Sequence, residues 1–132
     1  MWRVSLIVTI MRGMMYRSKF EETVAQYLSD NNYSFNYETK KIKWVDYRRR
    51  TYTPDFILAN GIIIETKGRF VSEDRRKHLE IKKQYPNLDI RFLFYNCRCK
   101  LYKGAKSTYA NWCDKNDFKY AEKVIPNEWF KE

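Results

Sequence analysis

Asp55, Glu65 and Lys67 are the residues whose types and spacing best suit chemistry. They lie in the stretch Thr53-Pro54-Asp55-Phe56-Ile57-Leu58-Ala59-Asn60-Gly61-Ile62-Ile63-Ile64-Glu65-Thr66-Lys67. It reads as two apolar strands joined by a tight turn, with an acid at the outer end of each. Side chains alternate faces along a strand, so Glu65 and Lys67 project together. Two carboxylates and an ammonium at the end of a rigid hairpin suit metal-dependent phosphodiester hydrolysis. The acids hold hard Mg²⁺ or Mn²⁺ through oxygen, and the lysine orients or helps deprotonate a water.

Register decides whether the acids can meet. Asn60-Gly61 is a strong signal for a two-residue type I′ turn, which would pair Phe56 with Glu65 and put Asp55 and Glu65 on opposite faces. A three-residue loop, Ala59-Asn60-Gly61, with Gly61 in the left-handed region and a bulge, pairs Asp55 with Glu65 instead. A metal site therefore predicts the bulged hairpin. Pro54 fits either version, because it cannot donate to a ladder. The competing reading is a surface hairpin with ordinary charged ends. Against it, Ile62-Ile63-Ile64 reads as a strand apolar on both faces, and the charges stand just where that strand emerges.

The elements around the hairpin follow from pattern. Phe20, Val24, Tyr27 and Leu28 recur at helical spacing and predict a helix from Lys19 to about Asn31. Ser18 followed by Glu21 is a capping box, so Glu21 can bond back to the Ser18 amide, or it can stand as a further carboxylate beside the hairpin acids. Tyr33 to Tyr37 predicts a first strand. Residues 40–50 alternate apolar and basic before Arg48-Arg49-Arg50, either an extended basic arm or an edge strand protected by charge. Ser72 with Glu73 and Asp74 opens a helix rich in Arg75, Arg76, Lys77, Lys82 and Lys83, closed before Pro86. His78, the only histidine, could protonate a leaving group or contact phosphate, but on that basic helix it reads more often as solvated. Asp89 to Tyr95 predicts a strand parallel to its predecessor, and Ser107 a cap on a short helix from Thr108 to about Lys115.

Composition narrows the classes. The 132 residues make one domain, and a net charge of +10 with 17% aromatic residues favours a polyanion partner such as nucleic acid. Cys97, Cys99 and Cys113 fit neither a disulfide framework nor a usual zinc site, which points to reduced thiols in a cytoplasm. The apolar run Trp2 to Met11 is interrupted by Arg3 and is far short of the roughly 20 residues a membrane span needs. Residues 1–15 read as an N-terminal extension without assigned role, and residues 16–132 as the single functional domain.

Several pieces together resemble one family. They are Arg17-Ser18, Thr51-Tyr52-Thr53-Pro54-Asp55-Phe56, Glu65-Thr66-Lys67-Gly68, Asp74-Arg75, Lys77-His78-Leu79, Lys100-Leu101-Tyr102-Lys103-Gly104 and Ile125-Pro126 with Glu128-Trp129. The chain resembles the bacteriophage endonuclease I family, Holliday-junction resolvases of the PD-(D/E)xK superfamily. The resemblance implies an α/β, restriction-endonuclease-like fold, a mixed β-sheet flanked by helices, in a domain-swapped homodimer with residues 42–50 as the bridge. It implies that Asp55, Glu65 and the Thr66 carbonyl bind one Mg²⁺ or Mn²⁺, that Glu21 serves a second, and that Lys67 positions the attacking water. Branched DNA would be met by Arg17, Lys43, Arg48, Arg49, Arg50, Arg69, Arg75, Arg76 and Lys77, with no membrane and no small-molecule cofactor. The basic tail of the best-known relative has no counterpart before Glu132, which implies fewer neutralised phosphates. Two other readings stand beside this one: a basic DNA-binding accessory without chemistry, and the same fold cutting a flap, mismatch or duplex.

Overall fold

The computed structural model describes residues 16–45 and 49–132. The N-terminal extension and Arg48 lie outside the described residues. Among the described residues, no helix is long and apolar enough to cross a membrane.

The chain runs α1 (Lys19–Asp30), β1 (Phe35–Tyr37), β2 (Ile42–Val45), β3 (Arg49–Tyr52), β4 (Phe56–Leu58), β5 (Ile63–Lys67), α2 (Ser72–Gln84), β6 (Ile90–Phe94), α3 (Tyr109–Lys115), β7 (Tyr120–Glu122) and a 3₁₀ turn (Asn127–Lys131). Five strands form a mixed sheet in the order β1-β4-β5-β6-β7. The first three are antiparallel neighbours, while β5, β6 and β7 run parallel. Parallel neighbours require crossovers, which the α2 and α3 segments supply. The expected parallel strand after the basic helix is therefore present.

The sheet divides two apolar layers. On one face Ile63, Phe92 and Phe94 pack with Phe70, Ile81 and Trp112; on the other Phe56, Ile64 and Leu93 pack with Val24, Leu28, Ile125 and Trp129. Adjacent β5 residues thus serve opposite layers, and β5 is buried on both faces until Lys67. This confirms the central strand expected from the isoleucine run.

The hairpin has the register a metal site needs. Phe56 pairs with Ile64 and Ile57 with Ile63, so continuing the ladder sets Asp55 opposite Glu65. Leu58 donates to the Ile62 carbonyl at 2.8 Å and Gly61 to the Leu58 carbonyl at 2.9 Å. Gly61 sits at φ +91°, a conformation that strains any L side chain, so the bulged loop displaces the type I′ turn here. Asn60 reinforces it: its side chain accepts from the Ile62 amide at 3.2 Å and donates to the Trp129 carbonyl at 2.8 Å.

Three local expectations need correction. The Ser18 hydroxyl accepts from the Glu21 amide at 3.1 Å, but the Glu21 carboxylate turns elsewhere, so only half the capping box forms. The first strand is shorter than Tyr33–Tyr37. The cap of α3 is Thr108 rather than Ser107, with Asn111 completing the box. Beside the main sheet, β2 and β3 pair antiparallel within one chain, Ile42 opposite Tyr52 and Val45 opposite Arg49. Ile42 and Trp44 alternate inward with exposed Lys43 and Val45, and the Gln84 side chain bonds both backbone groups of Val45.

Candidate active site

The carboxylates converge where β5 leaves the sheet beside the start of α1. Asp55, Glu65 and Glu21 are all buried, as is Thr66. Thr66 donates both its amide, at 2.9 Å, and its hydroxyl, at 3.0 Å, to Asp55 Oδ2. The Asp55 side chain thereby takes the place of a backbone acceptor at the ladder's end. The Asp55 amide in turn donates to Glu65 Oε2 at 3.0 Å.

Aromatic hydroxyls hold the outer acids. Tyr52 donates to Glu65 Oε2 at 2.8 Å, and Tyr37 donates to Glu21 Oε1 at 2.5 Å. Burial, then these contacts, raise both phenols above their ordinary pKa, so both remain donors. Arg17 closes the pocket, with Nη2 2.5 Å from Asp55 Oδ1 and 3.2 Å from Glu21 Oε2, and Nε 2.5 Å from Glu38 Oε2.

Crowded negative charge shows in the titration of the site. Burial, then Glu65 and Glu21, push the Asp55 carboxyl up to about 8, against the Thr66 amide and Arg17. Burial also opposes ionisation of Glu65, but His78, Lys67 and the Asp55 amide outweigh it and hold Glu65 at about 2. The two acids titrate as a pair, and Asp55 is the member pushed upward.

His78 overturns its solvated reading. It is fully buried, with its ring edge-on to Tyr52 and Phe92 and Nε2 3.6 Å from Glu65 Oε1. His78 and Ile81, one turn apart, form the buried face of α2, while Leu79 is partly exposed. Burial lowers its pKa, against the pull of Glu65. Lys67 stands with its Nζ 3.5 Å from Asp74 Oδ2 at the first turn of α2. Lys77 lies over the Tyr52 ring at 5.6 Å, its pKa lowered by burial and by neighbouring Lys67.

The expected site thus gathers Arg17, Glu21, Asp55, Glu65, Thr66 and Lys67, with Lys77 at its margin. The other basic residues lie outside it. Lys43, Arg49 and Arg50 are exposed on the β2–β3 hairpin, where Arg50 lies over the Trp44 ring, and Arg69 and Arg76 are exposed on either side of the α2 start. Arg75 spends its guanidinium on the Phe70 and Leu101 carbonyls. Sequence reasoning missed Tyr37, Glu38, Asp74 and the burial of His78. A Glu at a strand end carries no signal of its own until the fold sets it beside Asp55.

The donors suit a hard divalent cation. Glu21, Glu38 and Asp55 each offer an oxygen, and these atoms all lie within 4.8 Å of one another. All are carboxylates, the ligands Mg²⁺ and Mn²⁺ prefer. Glu65 stands outside that trio, tied to it through the Asp55 amide.

The phage endonuclease I family model matches residues 5–132. The chain belongs to that family. It is 48% identical over 118 residues to "Endonuclease I" of Escherichia phage T7, covering 89% of this chain and 79% of that protein. It is 45% identical over 122 residues to "Endodeoxyribonuclease 1" of Enterobacteria phage T3, covering 92% and 80%. Both relatives carry the name of an endonuclease, and one name specifies DNA.

Proposed function

We propose that this family member is a divalent-metal-dependent DNA endonuclease selective for four-way (Holliday) and other branched junctions, acting as a homodimer. The observation that carries the chemistry is the fastening of Asp55 to Glu65 at the mouth of a bulged hairpin, inside a buried, all-oxygen pocket. Asp55, Glu65 and the Thr66 carbonyl would hold one Mg²⁺ or Mn²⁺, and Glu21 would serve a second. Bound there, the ions supply Lewis-acid charge to the scissile phosphate and lower the pKa of a bound water.

The chain's own groups supply the rest. Tyr52 and the Asp55 amide occupy Glu65 Oε2, so the carboxylate cannot rotate freely. Lys67, steadied by Asp74, holds the attacking water and offsets charge on the phosphate. Lys43, Arg49, Arg50, Arg69 and Arg76 lie outside the carboxylate pocket and would neutralise flanking phosphates, an attraction that weakens with salt. Two copies exchanging α1 through residues 42–50 would build two composite sites for paired cuts on opposing strands.

The test is cleavage of a labelled immobile four-way junction against a matched linear duplex, with Mg²⁺ and with EDTA. Paired, Mg²⁺-dependent cuts confined to the junction are expected. Equal cutting of both substrates would remove the branch selectivity. Binding with no cut in Mg²⁺ or Mn²⁺ would leave a DNA-binding accessory protein.

A further inference from the structure

Arg17 stands where the trio of acids would enclose a cation. Its guanidinium reaches Glu21, Glu38 and Asp55, the same three residues whose oxygens lie within 4.8 Å of one another. A divalent ion set among those oxygens would meet the guanidinium's charge at contact distance and in the same space, so the two cations compete for one position.

The way Arg17 is attached makes exchange feasible. Its backbone amide is anchored, donating to Glu21 Oε1 at 3.0 Å and to the Tyr37 hydroxyl at 3.1 Å. Its side chain is 62% exposed, whereas the Glu21 and Asp55 side chains are 6% and 2% exposed. The guanidinium can therefore swing into solvent on a fixed backbone, while the acids stay in place. Glu38 completes the grip from φ +51°, a left-handed position sustained by its N–H, which donates to the Asp55 carbonyl at 3.2 Å.

We propose that Arg17 is the resident counter-cation of the second-metal position, and that it must withdraw before a second divalent ion is held there. This inference rests on the metal-dependent reading above. In the metal-free chain Arg17 keeps three acids together that would otherwise repel. A DNA phosphate offers the withdrawn guanidinium its next partner, with bidentate geometry to match. Substrate binding then frees the position for metal, and by linkage metal strengthens the hold on substrate.

The test titrates Mn²⁺ calorimetrically, without DNA, into the wild-type protein and Arg17→Gln, which keeps the backbone anchor. The variant should bind the second Mn²⁺ about tenfold more tightly, the scale of one charge-assisted hydrogen bond. It should also melt lower than wild type in EDTA, with the gap closing at saturating Mn²⁺. Equal or weaker Mn²⁺ binding by the variant would overturn the proposal. Should the variant not fold, the wild-type Arg17 Nε–H resonance decides: Mg²⁺ should move it toward a solvent-exposed guanidinium, and an unmoved signal would overturn the proposal. If wild type binds no divalent ion at all, it is the metal-dependent reading that fails, and this inference with it.

Discussion

The amide of Asp55 donates to the carboxylate of Glu65 at 3.0 Å, so one acid's backbone positions the other acid's side chain. Charge can therefore be removed from either without breaking that bond. Asp55→Asn and Glu65→Gln should each fold, bind a four-way junction, and cut it at least about 10³-fold more slowly, a loss of roughly 4 kcal/mol in the transition state. Gel-shift and single-turnover cleavage on the same preparations separate the two effects. Wild-type cutting by both variants would refute the site.

Tyr52→Phe isolates the support behind the acid. The lost hydroxyl leaves Glu65 Oε2 with the Asp55 amide still bound, so the carboxylate is not orphaned. The expected cost is about 1–2 kcal/mol of stability, measured by denaturant unfolding. Cleavage should fall less than in Glu65→Gln. A loss as large as that variant's would mean that Tyr52 acts in the chemistry itself.

The elevated Asp55 gives the metal-free protein a distinctive pH profile. Its folded value of about 8 lies above the ordinary 3.8, so between the two the folded chain binds the extra proton. Stability from this group is complete below the ordinary value and declines as pH rises toward 8. Glu65, held at about 2 rather than 4.5, has the opposite sign and loses its contribution only as pH falls below the ordinary value. In EDTA the melting temperature should fall from about pH 5 to about pH 8 and then level. Mg²⁺ must displace the Asp55 proton, so its affinity should rise by up to about tenfold per pH unit until that point. A flat melting profile in EDTA would show Asp55 to be ionised throughout.

Arg91 offers a contrast, a buried charge with no part in the site. Its guanidinium bonds Asp89 and Glu132, each at 2.7 Å, and lies over the Trp129 ring. Both partners are nearly half exposed and can rehydrate if it is lost. Arg91→Ala should cost about 2–3 kcal/mol of stability and leave metal affinity unchanged. Thermal unfolding and Mg²⁺ titration on the same protein check both halves. A shift in metal affinity would mean that the strand's two ends are coupled.

The parts of this fold legible in the sequence were those governed by local rules. The isoleucine run announced a central strand, and Gly61 permitted the bulge that sets Asp55 opposite Glu65. What escaped were choices made by long-range packing. His78 sits on a highly charged helix, yet Tyr52 and Phe92 claim it from two different strands. Glu21 could cap its own helix, but Tyr37 and Arg17 recruit its carboxylate. Arg17 read as a phosphate contact because nothing in its neighbours reveals that three acids will surround it.

Exchange of α1 between subunits can be tested by complementation. In one chain Glu21 lies beside its own Asp55, with Arg17 bridging them. If two copies swap α1, Glu21 of each meets Asp55 of the other. A protein carrying Glu21→Gln and another carrying Asp55→Asn should each be inactive as homodimers. Unfolded together and refolded, a swapped heterodimer regains one intact site, because the Asp55 variant lends its Glu21 to the Glu21 variant's Asp55. An unswapped pair regains none, since each chain spoils its own site. With random assortment about half the dimers are mixed, so nicking of one strand should return while paired cutting stays absent. No recovery, with sedimentation showing dimers present, would place each site within a single chain.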